Sequence, residues 1–221
     1  MVSQHKIGLI SDIHADLWGL EKSLALFQKH KVSDVFCAGD LVDGGKDGIY
    51  VIRTIQQNAI PCVSGNHDRD AFAHQSWIRR SIRQSNKCDH PFLLPSPMVG
   101  YITSLPLIYQ FQLSGITICL AHGTPSSNTD YLFPDASHGR ICEAIKHANV
   151  DVLVLGHTHR PMQINVGAKM ILNPGSTFTN RGDATKTCAI LTLPDRLFQV
   201  FDLKTGELYR HTRREVKCEE N

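Results

Sequence analysis

The chain is short of several things at once. No apolar run approaches the roughly 20 residues that a membrane span needs, and no signal-type leader precedes the first apolar segment at residue 6. A soluble, cytoplasmic protein with no membrane partner is expected. Net charge is scarce too: 23 Lys and Arg against 21 Asp and Glu leave a formal +2, which gives no bulk argument for nucleic acid or an anionic surface. Also missing is any Cys-x-x-Cys pair. The seven cysteines (Cys37, Cys62, Cys88, Cys119, Cys142, Cys188 and Cys218) are odd in number and dispersed, so they read as reduced packing residues rather than a disulfide framework or a thiolate metal site.

What is present suffices for one substantial core. At 221 residues and 42% hydrophobic, a single domain over 1–221 is expected. Residues 6–10 read as a buried strand and 17–30 as a helix with Leu20, Leu24, Leu26 and Phe27 at helical spacing. The unit repeats, with a strand at 35–38 and a helix at 47–58, then a strand at 60–63 and a helix at 70–83. Three β-loop-α units imply a parallel sheet with right-handed crossovers. Three prolines between 86 and 100 suggest an irregular loop over the site. A hairpin at 107–113 and 116–121, a helix at 138–147 and a strand at 151–155 follow. The strands predicted at 162–166, 170–172, 187–193 and 197–202 form an antiparallel block, and the charged tail after Arg210 is expected to fray. The predicted architecture is α/β: a two-sheet β-sandwich flanked by helices, in four α/β/β/α layers, with ligands at the carboxyl ends of the strands.

At those ends stand polar groups that packing does not explain. Asp12, His14, Asp40, Asn66, His122, His157 and His159 offer oxygen and imidazole nitrogen donors from five loops. Seven donors are too many for one transition metal; they suit two divalent ions about 3.5–4 Å apart with one carboxylate between them, for which Asp40 is the candidate. The ions outweigh two carboxylates, so the centre stays positive and suits a phosphate oxygen. Nitrogen and oxygen donors without thiolate point to Mn, Fe, Zn, Co or Ni rather than Ca; manganese is the working preference.

Asp12-Ile13-His14, Gly39-Asp40-Leu41-Val42-Asp43, Gly65-Asn66-His67-Asp68, His122-Gly123 and Gly156-His157-Thr158-His159 together resemble the five signature blocks of the calcineurin-like metallophosphoesterase superfamily, and in particular its small prokaryotic phosphoesterases and phosphodiesterases. The resemblance spans residues 6 to about 202. It implies one metal held by Asp12, His14 and His159, another by Asn66, His122 and His157, and Asp40 shared. It also implies that His67 touches the scissile phosphate as general acid or transition-state stabiliser while a metal-bound hydroxide attacks. Asp43 would orient and charge His67. Asp68 is either a support behind the ligands or a simple turn acid, and Asn173-Pro174-Gly175-Ser176 either a loop beside the site or an ordinary turn.

One departure bears on substrate. The protein Ser/Thr phosphatases and dinucleoside tetraphosphatases of the superfamily usually carry Arg where this chain has Gly44, so a bidentate phosphate clamp is missing; Arg69 or Arg181 are possible substitutes. The implied activity is hydrolysis of small phosphate mono- or diesters. Nucleotide or dinucleoside polyphosphate hydrolysis, protein phosphatase activity, and a non-catalytic scaffold like the metallophosphoesterase-like retromer subunit are the alternatives. A DNA-binding extension has no room, so nucleic acid is disfavoured as a partner. Specificity is expected in the segments 86–100 and 124–134.

Overall fold

A computed structural model describes residues 4–85, 90–179 and 185–218. Two mixed sheets pack face to face with helices outside. The first sheet has the order β2-β1-β8-β9, from β1 (His5–Ile10), β2 (Asp34–Cys37), β8 (Thr187–Leu193) and β9 (Leu197–Asp202). The second has the order β10-β6-β7-β5-β4-β3, from β3 (Ile108–Leu113), β4 (Ile116–Ala121), β5 (Val152–Val154), β6 (Met162–Val166), β7 (Lys169–Asn173) and β10 (Thr212–Val216).

Side-chain alternation sorts the core into layers. Ile7 and Leu9 of β1 and Ala189 and Leu191 of β8 meet Ile118, Leu120, Val152 and Leu172 between the sheets. Ile10, Cys188 and Ile190 point the other way, under α1 (Leu17–Lys29), α2 (Gly48–Gln57) and α4 (Ser96–Thr103). The outer face of the second sheet is covered by Ile141, Ala144 and Ile145 of α5 (His138–Ala148). Every residue of β8 is buried, as a strand covered on both faces must be.

Local chemistry sets the helix ends. Asp16 caps α1 by accepting the Gly19 N–H at 3.1 Å, and Ser137 caps α5. The Asn149 amide closes α5 from a left-handed conformation (φ 49°), a role asparagine tolerates.

Several expectations are corrected. The first sheet is not purely parallel: β1 pairs parallel with β2 but antiparallel with β8. The last third is no separate antiparallel block, because β8 and β9 complete the first sheet while β6 and β7 join the second, where β5 runs parallel to both β4 and β7. Segment 60–63 makes a single bridge between Cys62 and Cys37 rather than a strand; Pro61 has no N–H to give, and the Ser64 N–H goes instead to Pro106 O. Within 86–100, residues 86–89 lie outside the described residues, and α4 begins at Ser96 with Pro97 in its first turn, where a missing N–H costs nothing. The tail does not fray at Arg210, since β10 pairs parallel with β6. Cys142 and Cys218, 76 positions apart, form a disulfide with Cα atoms 5.7 Å apart. Cys37, Cys62, Cys119 and Cys188 are buried free thiols as expected, and Cys88 lies outside the described residues.

Among the described residues no helix is long and apolar enough to cross a membrane. β3 forms a sheet edge, with Leu107, Ile108 and Tyr109 exposed.

Candidate metal centre and active site

The loops after β1, β2 and β5 turn sharply at polar residues. Asp12, His14, Asp40, Asp43, His157 and His159 all have φ between 46° and 66°, a left-handed region that non-glycine residues enter at a cost and that clusters at functional sites. Backbone hydrogen bonds hold the first two turns in that form: Asp12 N–H to Gly39 O, His14 N–H to Asp40 O and Ala15 N–H to Leu41 O, all 2.8–2.9 Å. α3 (Asn66–Ser85) begins at the third motif. A Cβ on Gly65 would sit 2.0 Å from Asp40 Oδ1, so only glycine lets this turn press against that carboxylate.

All seven expected donors converge. Asp40 Oδ2 lies 3.2 Å from His122 Nε2 and 3.7 Å from His14 Nε2, while its Oδ1 accepts the His67 N–H at 3.0 Å. Asp12 Oδ1 is 3.2 Å from His159 Nε2 and 4.0 Å from both His14 and His122 Nε2. The Nε2 atoms of His14 and His159 stand 3.1 Å apart, and Asn66 Oδ1 is 3.2 Å from His122 Nε2. Two groups, Asp12/His14/His159 and Asp40/His122/His157, each bring one donor atom per residue within 4.8 Å of the others.

The far side of three imidazoles fixes their tautomers. His14 Nδ1 donates to Asp43 O (2.8 Å), His122 Nδ1 to Ala38 O (2.7 Å) and His157 Nε2 to Thr129 O (3.1 Å). In the neutral ring this leaves the other nitrogen with its lone pair, the arrangement of histidines that ligate metal. With buried carboxylates, an amide oxygen and no thiolate, the donor set fits two divalent ions.

Electrostatics at the centre favour positive charge. Burial alone would raise Asp12, but hydrogen bonding from His159 and the charges of His122 and His159 hold it at about 2. Burial likewise opposes charge on His122, yet the hydrogen bond and charge of Asp40 push it up to about 9. Burial pushes Asp40 up, but the hydrogen bond and charge of His122 together with the charge of His14 bring it below the ordinary value. Desolvation lowers both His14 and His157.

Asp68 is fully buried, accepting the Gly65 N–H (3.0 Å) on one oxygen, which closes the turn into α3, and the Leu41 N–H (2.8 Å) on the other, which ties that turn to a second site loop. The loop 173–176 is likewise a brace. Asn173 Nδ2 donates to Gly156 O and Thr158 Oγ1, and Ser176 Oγ donates to Asp12 O.

His67 Nδ1 meets Asp43 Oδ2 at 3.2 Å, and that contact raises the imidazole's pKa. His74 lies outside the five motifs, yet its Nδ1 meets Asp43 Oδ1 at 2.8 Å. The available signal was its spacing, seven residues after His67 and so two turns along the same helix face. Tyr131 was also missed; its ring stacks on His157 with centroids 3.9 Å apart. Arg69 is exposed beside a cavity near the centre, and Arg181 lies outside the described residues.

A model of the calcineurin-like phosphoesterase superfamily domain matches residues 6–196. The chain belongs to this superfamily. It is 25% identical over 173 residues to the phosphodiesterase MJ0936 of Methanocaldococcus jannaschii, covering 77% of this chain and 82% of that protein. The crystal structure of a metallophosphoesterase from Sphaerobacter thermophilus shares the fold with TM-score 0.66 at 21% identity, covering 89% of this chain and 86% of that one. Vacuolar protein sorting 29 from Cryptosporidium parvum shares it too, with TM-score 0.57 at 21% identity over 93% and 95% of the two chains.

Proposed function

We propose that this protein is a dinuclear metal-dependent phosphoesterase acting on small phosphate mono- or diesters. The observation that carries the reading is the position of Asp40, whose Oδ2 lies between His14 and His122 while its Oδ1 holds the backbone of His67. One carboxylate thereby joins both donor groups to the residue assigned to the leaving group. Family membership and the likeness to a phosphodiesterase support the same reading.

Asp12, His14 and His159 would hold one ion, Asn66, His122 and His157 the other, and Asp40 both. Bound there, two divalent ions, with manganese favoured, supply Lewis acidity toward the phosphate oxygens and an activated water. The chain's own residues do the rest. Asp43 accepts the hydrogen bond of the His67 Nδ1–H and fixes the ring, which leaves the Nε2–H of the imidazolium to protonate the departing oxygen. Carbonyls of Ala38, Asp43 and Thr129 keep the ligand rings in one tautomer. Asp68 and Asn173 hold the loops in register.

A metal-supplemented panel of aryl phosphate monoesters, aryl diesters and dinucleoside polyphosphates tests the reading and ranks its alternatives. Asp40→Asn should lose bound metal together with activity. His67→Ala should keep its metal and lose turnover by about 10²–10⁴. Absence of both metal and turnover from the wild type would favour a scaffold, against which stands the complete donor set. Gly44 in place of an arginine weighs against protein phosphatase and dinucleoside tetraphosphate activity.

A further inference from the structure

A cavity of about 330 Å³ opens beside the centre, between the start of α3 and the loop 124–129. Its volume falls in the range of small-ligand sites, about 300–1,000 Å³. It adjoins the centre on two sides. Thr129 lines it, and the Thr129 carbonyl holds the ring of His157. Arg69 lines it from one turn beyond Asn66, on the same helix face.

The wall has a definite polarity. Thr124, Ser126, Ser127 and Thr129 bring four hydroxyls from one short loop, already linked in pairs: Thr124 to Ser126 at 3.1 Å and Ser127 to Thr129 at 3.0 Å. Hydroxyls so arranged can still accept or donate toward a ligand. Arg69 supplies a guanidinium that, among the described residues, meets no carboxylate and no hydrogen-bond acceptor. Neighbouring Asp70 is in the lining, and the Asp130 carboxylate accepts from the lining Thr124 hydroxyl at 3.4 Å. These carboxylates disfavour a cavity filled by negative charge throughout and suit hydroxyl or amine donors on the ligand.

We infer that this cavity receives the non-scissile part of the substrate, and that this part is hydroxylated and carries a second anionic group, phosphate or carboxylate, which pairs with Arg69. The inference rests on the phosphoester reading for the identity of the group at the metal centre. A guanidinium is suited to this because its planar fork matches either oxyanion bidentately.

The test uses the metal-loaded full chain and a set of 4-nitrophenyl phosphodiesters. Their second ester group is 2-carboxyethyl, 2-phosphoethyl, 2-hydroxyethyl or 2-(trimethylammonio)ethyl. The expected result is a preference of at least about tenfold in kcat/KM for an anionic over the neutral ester, expressed in KM, as a charge-assisted contact supplies. The carboxyl and phosphoryl arms show which anion is preferred. Arg69→Ala should abolish the preference, Arg69→Glu should transfer it to the cationic ester, and Arg69→Lys should restore part of it. A wild type without charge preference, or a preference unmoved in Arg69→Ala, overturns the inference.

Binding separates this failure from failure of the phosphoesterase reading. Calorimetry compares phosphoglycolate with ethyl phosphate on the same proteins. Tighter binding of phosphoglycolate that depends on Arg69, without hydrolysis of any ester, would uphold the cavity while removing the catalytic reading. Equal binding of the two ligands counts against the cavity whatever the turnover.

Discussion

His74 and His67 share one carboxylate: Asp43 meets His74 Nδ1 on Oδ1 at 2.8 Å and His67 Nδ1 on Oδ2 at 3.2 Å. Held at both oxygens, Asp43 cannot rotate away from His67. The Asp43 contact raises the pKa of His67 above its ordinary value, so His67 keeps its proton to higher pH and the alkaline limb of kcat should follow it. Asp43→Asn removes the charge and should move that limb to lower pH in a pH–rate profile. His74→Gln keeps a donor to Asp43 and should stay closer to wild-type kcat than His74→Phe.

A second prediction concerns metal-stripped protein. Burial, with the charge of Asp40 nearby, raises Asp68 to about 7, and Asp40 raises His122 to about 9. Both folded-state values exceed the ordinary ones. Each group therefore adds stability that is complete below its ordinary pKa and is lost as pH rises through its folded value. Above about pH 6.5, where the lowered His14 and His157 no longer bind protons in either state, thermal melts of the chelated protein should fall in Tm up to pH 9. Since metal competes with the proton on His122, the stabilisation on adding manganese should grow over the same range. Asp68→Asn leaves one of two backbone N–H groups without an acceptor and should cost about 1–3 kcal/mol, with a shallower pH slope.

Tyr131 covers one face of His157, and the Thr129 carbonyl holds its edge. Phe133 lies parallel to Tyr131 at 5.5 Å, with Arg160 over Phe133. Loss of such support around a ligand histidine typically costs about 10–100-fold in metal affinity. Titration calorimetry should show that weakening for one of two ions in Tyr131→Ala and near-normal binding in Tyr131→Phe, which keeps the stacked ring.

The Cys142–Cys218 bond ties the segment after β10 to α5 and closes a separation of 76 residues. Removing it should cost about 2–5 kcal/mol, read as a lower denaturant midpoint for Cys142→Ser/Cys218→Ser and for wild type under reductant. Amide exchange should rise first in β10, an edge strand that among the described residues pairs with β6 alone.

Residue types and their spacing along one chain pointed to this donor cluster because every donor but Asn66 stands within a few residues of an apolar strand end, as His122 does after Ala121. For His74 they offer only its spacing from His67, because its partner Asp43 is 31 positions away and is reached through packing. The same holds for the disulfide and for the brace from Asn173 to Gly156. Strand pairing was harder still. Residues 212–216 are mostly exposed and charged, and so resemble a loose tail, although an edge strand needs just one partner. Pro61 interrupts what hydrophobicity alone marks as a full strand.

The neighbour of β1 in the middle of the first sheet is β8, from the far end of the chain. During synthesis Asp12, His14 and Asp40 are therefore made early, on strands that lack this partner until residues 187–193 have left the ribosome. His159 and the Asn173–Ser176 brace also arrive late. The donor cluster is consequently among the last parts of the molecule to form. A nascent chain stalled before Thr187 would carry every candidate donor and five strands of the second sheet, and still lack the strand that joins β1 to β9 in the first.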